Sequence, residues 1–198
     1  MAATYTPAFE KAIDHAMLYE VGGGWNENHP AVEEGLIDTQ ANRRAVGYVN
    51  DPLDNGGETK FGVARNANPD INITSLTWDG AKAVYYVRYW IAGKCDYLPG
   101  RVAALHFDGC INHGIKRAST FLQRACGVKP DGNIGAVTVA KAQAMDQFEL
   151  CESICDQREQ FYRSIVNNNP SQERYLAGWL RRISEVRAFV TDPGNSFD

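Results

Sequence analysis

The chain has 198 residues, 44% of them hydrophobic, and a formal net charge of −4. That hydrophobic fraction is ample for a packed core and excludes wholesale disorder, while an acidic balance is the wrong footprint for a nucleic-acid partner. No run approaches the roughly 18 apolar residues of a spanning helix, so no stable membrane association is expected.

The opening stretch, MAATYTPAFEKAIDHAM, has neither a basic region nor the apolar core of a signal peptide, so synthesis in the cytosol is expected, with any export depending on another factor. Thr6 and Pro7 read as the N-cap and first residue of a helix. Phe9, Ile13, Ala16, Met17 and Glu20 then recur on one face, and Gly22 to Gly24 stop it. Residues 25–47 are polar and without sustained period; they read as a long loop with a short helix at 36–45. Over 48–64 the NDP, DNGG and KFG turns suggest a small hairpin using Tyr48, Val49, Phe61 and Val63. Beyond Thr77 helices are expected at about 78–92, 101–113, 116–126, 136–145, 147–167 and 171–190. The last carries Tyr175, Leu176, Trp179, Ile183, Val186 and Val190 on one stripe, expected to face a core.

Charge is uneven. Residues 1–95 carry 8 Lys/Arg against 12 Asp/Glu, whereas residues 96–198 carry 12 of each. Five cysteines (95, 110, 126, 151 and 155) lack disulfide-framework spacing and read as structural thiols. Cys110, His113 and the nearby His106 could begin a zinc site, but no second pair matches, so no metal is expected.

The carboxylates are more informative. Glu20 shares a face with Ile13, Ala16 and Met17 and closes a helix. Burial and the negative end of the helix dipole both favour its protonated form, as a general acid requires. The glycines after it leave room for a bulky polymer. The stretch YVNDPLDNGGETKFG, Tyr48 to Gly62, supplies Asp51, Asp54, Glu58 and Thr59. Asp54, in a turn with Asn55-Gly56-Gly57, would stay ionised if solvated or bonded to backbone N–H groups. Thr59 offers a short hydroxyl to hold a water. Turn stabilisation is the competing reading for Asp51 and Asp54, and Glu58 reads as an exposed hairpin residue. One protonated and one ionised carboxyl flanking a bond is the requirement of glycoside hydrolysis.

At these residues the sequence resembles the glycoside hydrolase family 108 muramidases, phage and bacterial lysozymes that cleave peptidoglycan. The carriers are the helix-ending Glu20, its glycines and the motif from Tyr48 to Gly62. Phe107 to Ala144, with Asn112-His113-Gly114, Leu122-Gln123, Asp131-Gly132 and Thr138, is similar to the family's companion peptidoglycan-binding segment, as are Arg158, Tyr162 and Gly178-Trp179. The resemblance covers about 1–24 and 48–190. It implies a mainly α, α+β lysozyme-like fold, with a helical lobe, a small β-hairpin lobe and a cleft between them. The catalytic segment would be 1–95 and the binding-like segment 96–198, forming one globule.

By the same resemblance the catalytic set is Glu20, Asp54 and Thr59. Tyr48, Asn50, Gly57, Asn112 and His113 would bind substrate, the last two opposite Asp54. No cofactor is implied. The partner would be the glycan strands of peptidoglycan, met by a monomer released from the host cytoplasm through a holin-type pore. Two readings compete with hydrolysis of the β-1,4 bond between N-acetylmuramic acid and N-acetylglucosamine: a lytic transglycosylase, and a non-catalytic wall-binding virion protein. One departure stands out. In most relatives the glutamate runs almost directly into the Tyr-Val-Asn-Asp stretch, whereas here residues 24–47 intervene, leaving Glu27, Glu33, Glu34 and Asp38 as rivals for the second acid. The insertion would lie over the cleft, and its deletion would test that.

Overall fold

The computed structural model describes residues 4–22, 25–51 and 56–197. The chain is mainly helical, with one two-stranded antiparallel sheet among the described residues. It divides into two compact units, one of Met1–Tyr5 and Ile13–Val87, the other of Thr6–Ala12 and Arg88–Asp198. No described helix is long and apolar enough to cross a membrane.

Helix α1 (Pro7–Glu20) begins as its sequence predicts, the Thr6 hydroxyl accepting from the Phe9 N–H at 3.3 Å. The glycine stop falls partly on residues 23 and 24, outside the described residues; Gly22 itself has φ +83°. In the first unit, residues 25–47 are more ordered than a loop. Helix α2 (Pro30–Glu34) has its N-cap at His29, proline at its first turn and a left-handed Gly35 after it. Helix α3 (Gln40–Ala45) is capped by Thr39. The reading of 36–45 as one short helix thus moves to 40–45, and α2 is added by a Pro-start, Gly-stop signature. Ala31, Val32, Ala45 and Val46 are buried. The segment is therefore part of the unit's core, so its deletion would damage folding rather than report on access alone.

The hairpin is shorter than expected. Strands β1 (Thr59–Lys60) and β2 (Val63–Ala64) pair Thr59 with Ala64 and Lys60 with Val63. Val49 adds one bridge to Thr59, and Phe61 lies in the turn. Helix α4 (Trp78–Tyr85) starts at a Thr77 cap whose hydroxyl accepts from Gly80 N–H at 3.2 Å. The single helix expected over 78–92 instead passes into a π-helical turn at Tyr86–Ile91, which breaks the helix phase.

In the second unit, α5 (Gly100–His113), α6 (Ile115–Ala125), α7 (Ala136–Ala144), α8 (Gln147–Asn168) and α9 (Glu173–Thr191) lie within one or two residues of their predicted spans. Phe9, Trp90 and Phe107 meet edge to face, with centroids 5.4–5.5 Å apart. Helix α9 packs on α8 and α5. Its stripe is buried only from Ile183 onward; Tyr175 is exposed, and Leu176 and Trp179 are half-buried. All five cysteines are buried and free, their side chains serving as core atoms. Cys110 Sγ lies 3.5 Å from His106 Nε2, while His113 faces elsewhere.

A buried ion triad ties α5, α8 and α9 together. Asp108 accepts from Arg158 at 2.6 Å and from Arg182 at 2.8 Å. Burial would raise its carboxyl pKa, but the two guanidinium groups hold it well below the usual range. Removing a buried partner leaves uncompensated charge. Asp108→Ala is therefore expected to cost about 3 kcal/mol in urea unfolding; a loss under about 0.5 kcal/mol would show the triad to be incidental.

Candidate active site

Glu20 closes α1 half-buried, beside the turn of the hairpin. A Cβ added to Gly62 would lie 2.9 Å from Glu20 Cβ, 3.6 Å from Glu20 Cγ and 2.4 Å from the Tyr85 hydroxyl. Only hydrogen fits there, and the backbone at φ +72° independently favours glycine. The fold thus seats the last turn residue of the YVNDPLDNGGETKFG motif directly on the glutamate some forty positions earlier.

The turn is held in a left-handed conformation. Phe61 has φ +52°, a costly value for a bulky residue. It is fully buried and packs edge to face on Trp25 at 6.3 Å and tilted on Trp78 at 5.5 Å. Its N–H donates to Val46 O at 2.7 Å, and its carbonyl accepts from the Tyr85 hydroxyl at 3.0 Å.

The rest of the motif is pinned from beneath by Glu58, which is buried rather than exposed as its hairpin setting suggests. Its carboxylate accepts from the Tyr48 hydroxyl at 2.9 Å, from the Thr74 hydroxyl at 2.7 Å and from Arg65. Burial alone would raise its pKa; the three donors and the Arg65 charge outweigh that and lower it. Three local donors make it a structural clamp, not an acid. Tyr48 is thereby committed through its hydroxyl, and its pKa is raised by burial and by Glu58. Lys60, fully buried, donates to Thr74 O at 2.8 Å. Burial lowers its pKa against the opposing pull of Glu58.

Thr59 is half-buried on β1, its hydroxyl donating to Gly57 O at 3.2 Å and its backbone paired with Val49. Gly57 lies in the same loop, and Asn50 and Asp51 are exposed at its start. Asp54 lies outside the described residues. The rivals Glu27, Glu33, Glu34 and Asp38 are all exposed.

Asn112 and His113 end α5 in the second unit. Asn112 Oδ1 accepts from the Tyr162 hydroxyl. His113 Nε2 accepts from Arg158 Nε at 3.2 Å, which places its proton on Nδ1. Phe121, Phe161 and Tyr162 surround the ring at 5.1–5.6 Å. Both residues are therefore built into a packed network, though each remains partly exposed. Burial, with the charge of Arg158, pushes the His113 pKa down to about 3.

With this geometry in place, the comparison with known proteins is informative. Residues 33–114 match the family model Glycosyl hydrolase 108. Residues 117–184 match the Predicted Peptidoglycan domain. The family resemblance carried by Tyr48 to Gly62 and by the later segment is thereby shown. The first match begins inside 24–47, so part of that segment belongs to the family pattern, and Glu20 lies outside it. The solved structure of Brucella abortus SagA aligns over 92% of both chains, with 27% identity and a TM-score of 0.66. No curated protein matches. The two family matches support a glycoside hydrolase acting on peptidoglycan.

Two predictions follow from the site's packing. Gly62→Ala combines a left-handed backbone with contact against Glu20 and Tyr85; it should cost about 2 kcal/mol in chemical denaturation and reduce wall lysis, whereas wild-type stability and lysis would show the contact to be slack. Unfolded histidine gains a proton near 6.5 but folded His113 only near 3, so its contribution to stability is complete above 6.5 and lost as pH falls toward 3. Imidazole NMR should find His113 neutral and protonated on Nδ1 at pH 5; a midpoint near 6.5 would contradict this.

Proposed function

We propose that the chain is an endolysin-type N-acetylmuramidase that hydrolyses the β-1,4 bond between N-acetylmuramic acid and N-acetylglucosamine. The observation that carries the reading is the seating of Gly62, within the family motif, on Glu20. It sets a half-buried carboxyl at the end of a helix beside the turn that follows Thr59 in the motif. In this mechanism Glu20 donates its proton to the glycosidic oxygen as that bond to the muramic acid C1 breaks. Asp54 offsets the developing positive charge or takes a proton from the attacking water, which Thr59 positions. The water's oxygen ends on C1. Tyr48, Asn50 and Gly57 would border the sugar on the loop side.

The setting that accompanies this reading is host lysis: a monomer made in the bacterial cytoplasm and reaching the wall after holin-type release. A carboxyl-to-amide change removes the transferable proton while keeping the shape. Glu20→Gln should therefore lower the clearing rate of permeabilised Gram-negative cells by about a thousand-fold, with cooperative melting and wall binding retained. Lysis at the wild-type rate would remove Glu20 from the mechanism. Failure of the wild-type protein to clear walls it binds would favour the non-catalytic binding reading, which the second family match supports.

A further inference from the structure

Between the end of α1 and α3 the first unit carries a cavity of about 700 Å³ lined by Val21, Gln40, Arg43, Arg44, Gly47, Tyr48, Val49 and Asn50. Three things set it apart from the rest of the surface. It begins at the residue after Glu20 and ends on the first residues of the motif, so it flanks the candidate acid. Among the described residues its lining contains two arginines and no carboxylate, in the half of the sequence where acids outnumber bases twelve to eight. Among the described residues neither guanidinium has a carboxylate partner. Arg43 is oriented by its Nε donating to Ile37 O at 2.8 Å and by its place over the Tyr48 ring at 5.8 Å; the Arg44 side chain has no hydrogen-bond or ion-pair partner among the described residues, and only its carbonyl accepts, from Gly47 N–H. Elsewhere Arg65, Arg158, Arg163, Arg181, Arg182 and Arg187 each hold a carboxylate.

We propose that this cavity is the subsite for the anionic substituent of muramic acid, with Arg43 and Arg44 binding its carboxylates. The inference rests on the muramidase reading and deepens it. A planar guanidinium with paired N–H donors suits a carboxylate in two-point contact, and an arginine already oriented by the protein loses less freedom on binding. Alternate sugars of a peptidoglycan strand carry a lactyl ether, bearing either a free carboxylate or a peptide with several. A neutral glucosamine polymer has none. Helix α3 therefore makes 24–47 a specificity element, fixed in the core by Ala45 and Val46 and presenting its cations outward. The charge recognised is the same whether it comes from the lactyl group or the stem peptide.

The test measures KM and kcat on four substrates: native sacculi, amidase-stripped strands that keep only the lactyl carboxylate, and both after carbodiimide coupling to methylamine, which neutralises the carboxylates. The wild-type protein should show KM about five-fold higher on blocked than on native walls, with kcat little changed, as expected of two solvent-exposed charge contacts. Arg44→Ala, which disturbs no internal bond, and Arg43→Ala should each shrink that ratio, Arg44→Glu should shrink it further, and Arg44→Lys should restore most of it. The effect should fade as salt is raised. Discrimination that survives on stripped strands assigns the site to the lactyl carboxylate; discrimination lost on stripping assigns it to the stem peptide. A wild-type ratio near one on both pairs, with bond cleavage intact, overturns the subsite alone. Absence of cleavage on every substrate overturns the muramidase reading instead.

Discussion

The constraint on which the candidate site depends is the left-handed turn at Phe61 and Gly62, pressed against the end of α1. Phe61 would not adopt this conformation for its own sake. Phe61 at φ +52° is held by burial between Trp25 and Trp78 and by hydrogen bonds at both its N–H and its carbonyl. Gly62 then has space for nothing larger than hydrogen beside Glu20 and Tyr85. Backbone strain of this kind costs of order 1–3 kcal/mol and persists only where the surroundings over-determine it. Here the surroundings do so from three directions: α1, α3 and α4.

The clamp around Glu58 has a related purpose. A loop rich in glycine and aspartate has many accessible conformations, and fixing them is entropically costly. Glu58 gathers Tyr48 from one side of the motif, Arg65 just beyond it and Thr74 further on. Its lowered pKa means that the clamp is ionised and intact across neutral pH. The same loop can then present Asn50, Gly57 and Thr59 at defined positions. In the second unit the Asp108 triad has an equivalent role, locking three helices and fixing the tautomer of His113 through Arg158. In each unit a buried carboxylate serves the architecture, whereas Glu20 sits half-buried at a helix end against Gly62.

How much of this was legible in the sequence depended on how local the signal was. The helices from Gly100 onward could be read because apolar period and the Gly, Pro or Asn at most of their junctions agree, with a side-chain cap, Asp146, only at α8. Helix α2 was legible in principle from His29-Pro30 and Gly35, but polarity concealed it: only Ala31 and Val32 of its residues are buried. The π turn at Tyr86–Ile91 leaves no clear local mark, since its sequence is as apolar as a continuing helix. The exposed Tyr175 end of α9 shows the converse, an apolar stripe that outruns the surface available to cover it. The buried face that Glu20 shares with Ile13, Ala16 and Met17 could be read from spacing, yet its contact with Gly62 joins residues some forty positions apart. No periodicity encodes that. Glu58 was misread for the same reason: a glutamate in a hairpin is usually solvated, and only the fold reveals the donors from Thr74 and Arg65.

In the first unit the turn that closes the Tyr48 to Gly62 motif is set on the end of a helix that bears an acid. Hydrolysis at muramic acid is the chemistry proposed for it, and its products carry a distinct mark. Digestion of sacculi in water enriched in oxygen-18, followed by mass spectrometry of the released muropeptides, tests it directly. The account predicts reducing N-acetylmuramic acid ends carrying one heavy oxygen. Anhydro-muramic ends without the label, or reducing N-acetylglucosamine ends, would contradict it.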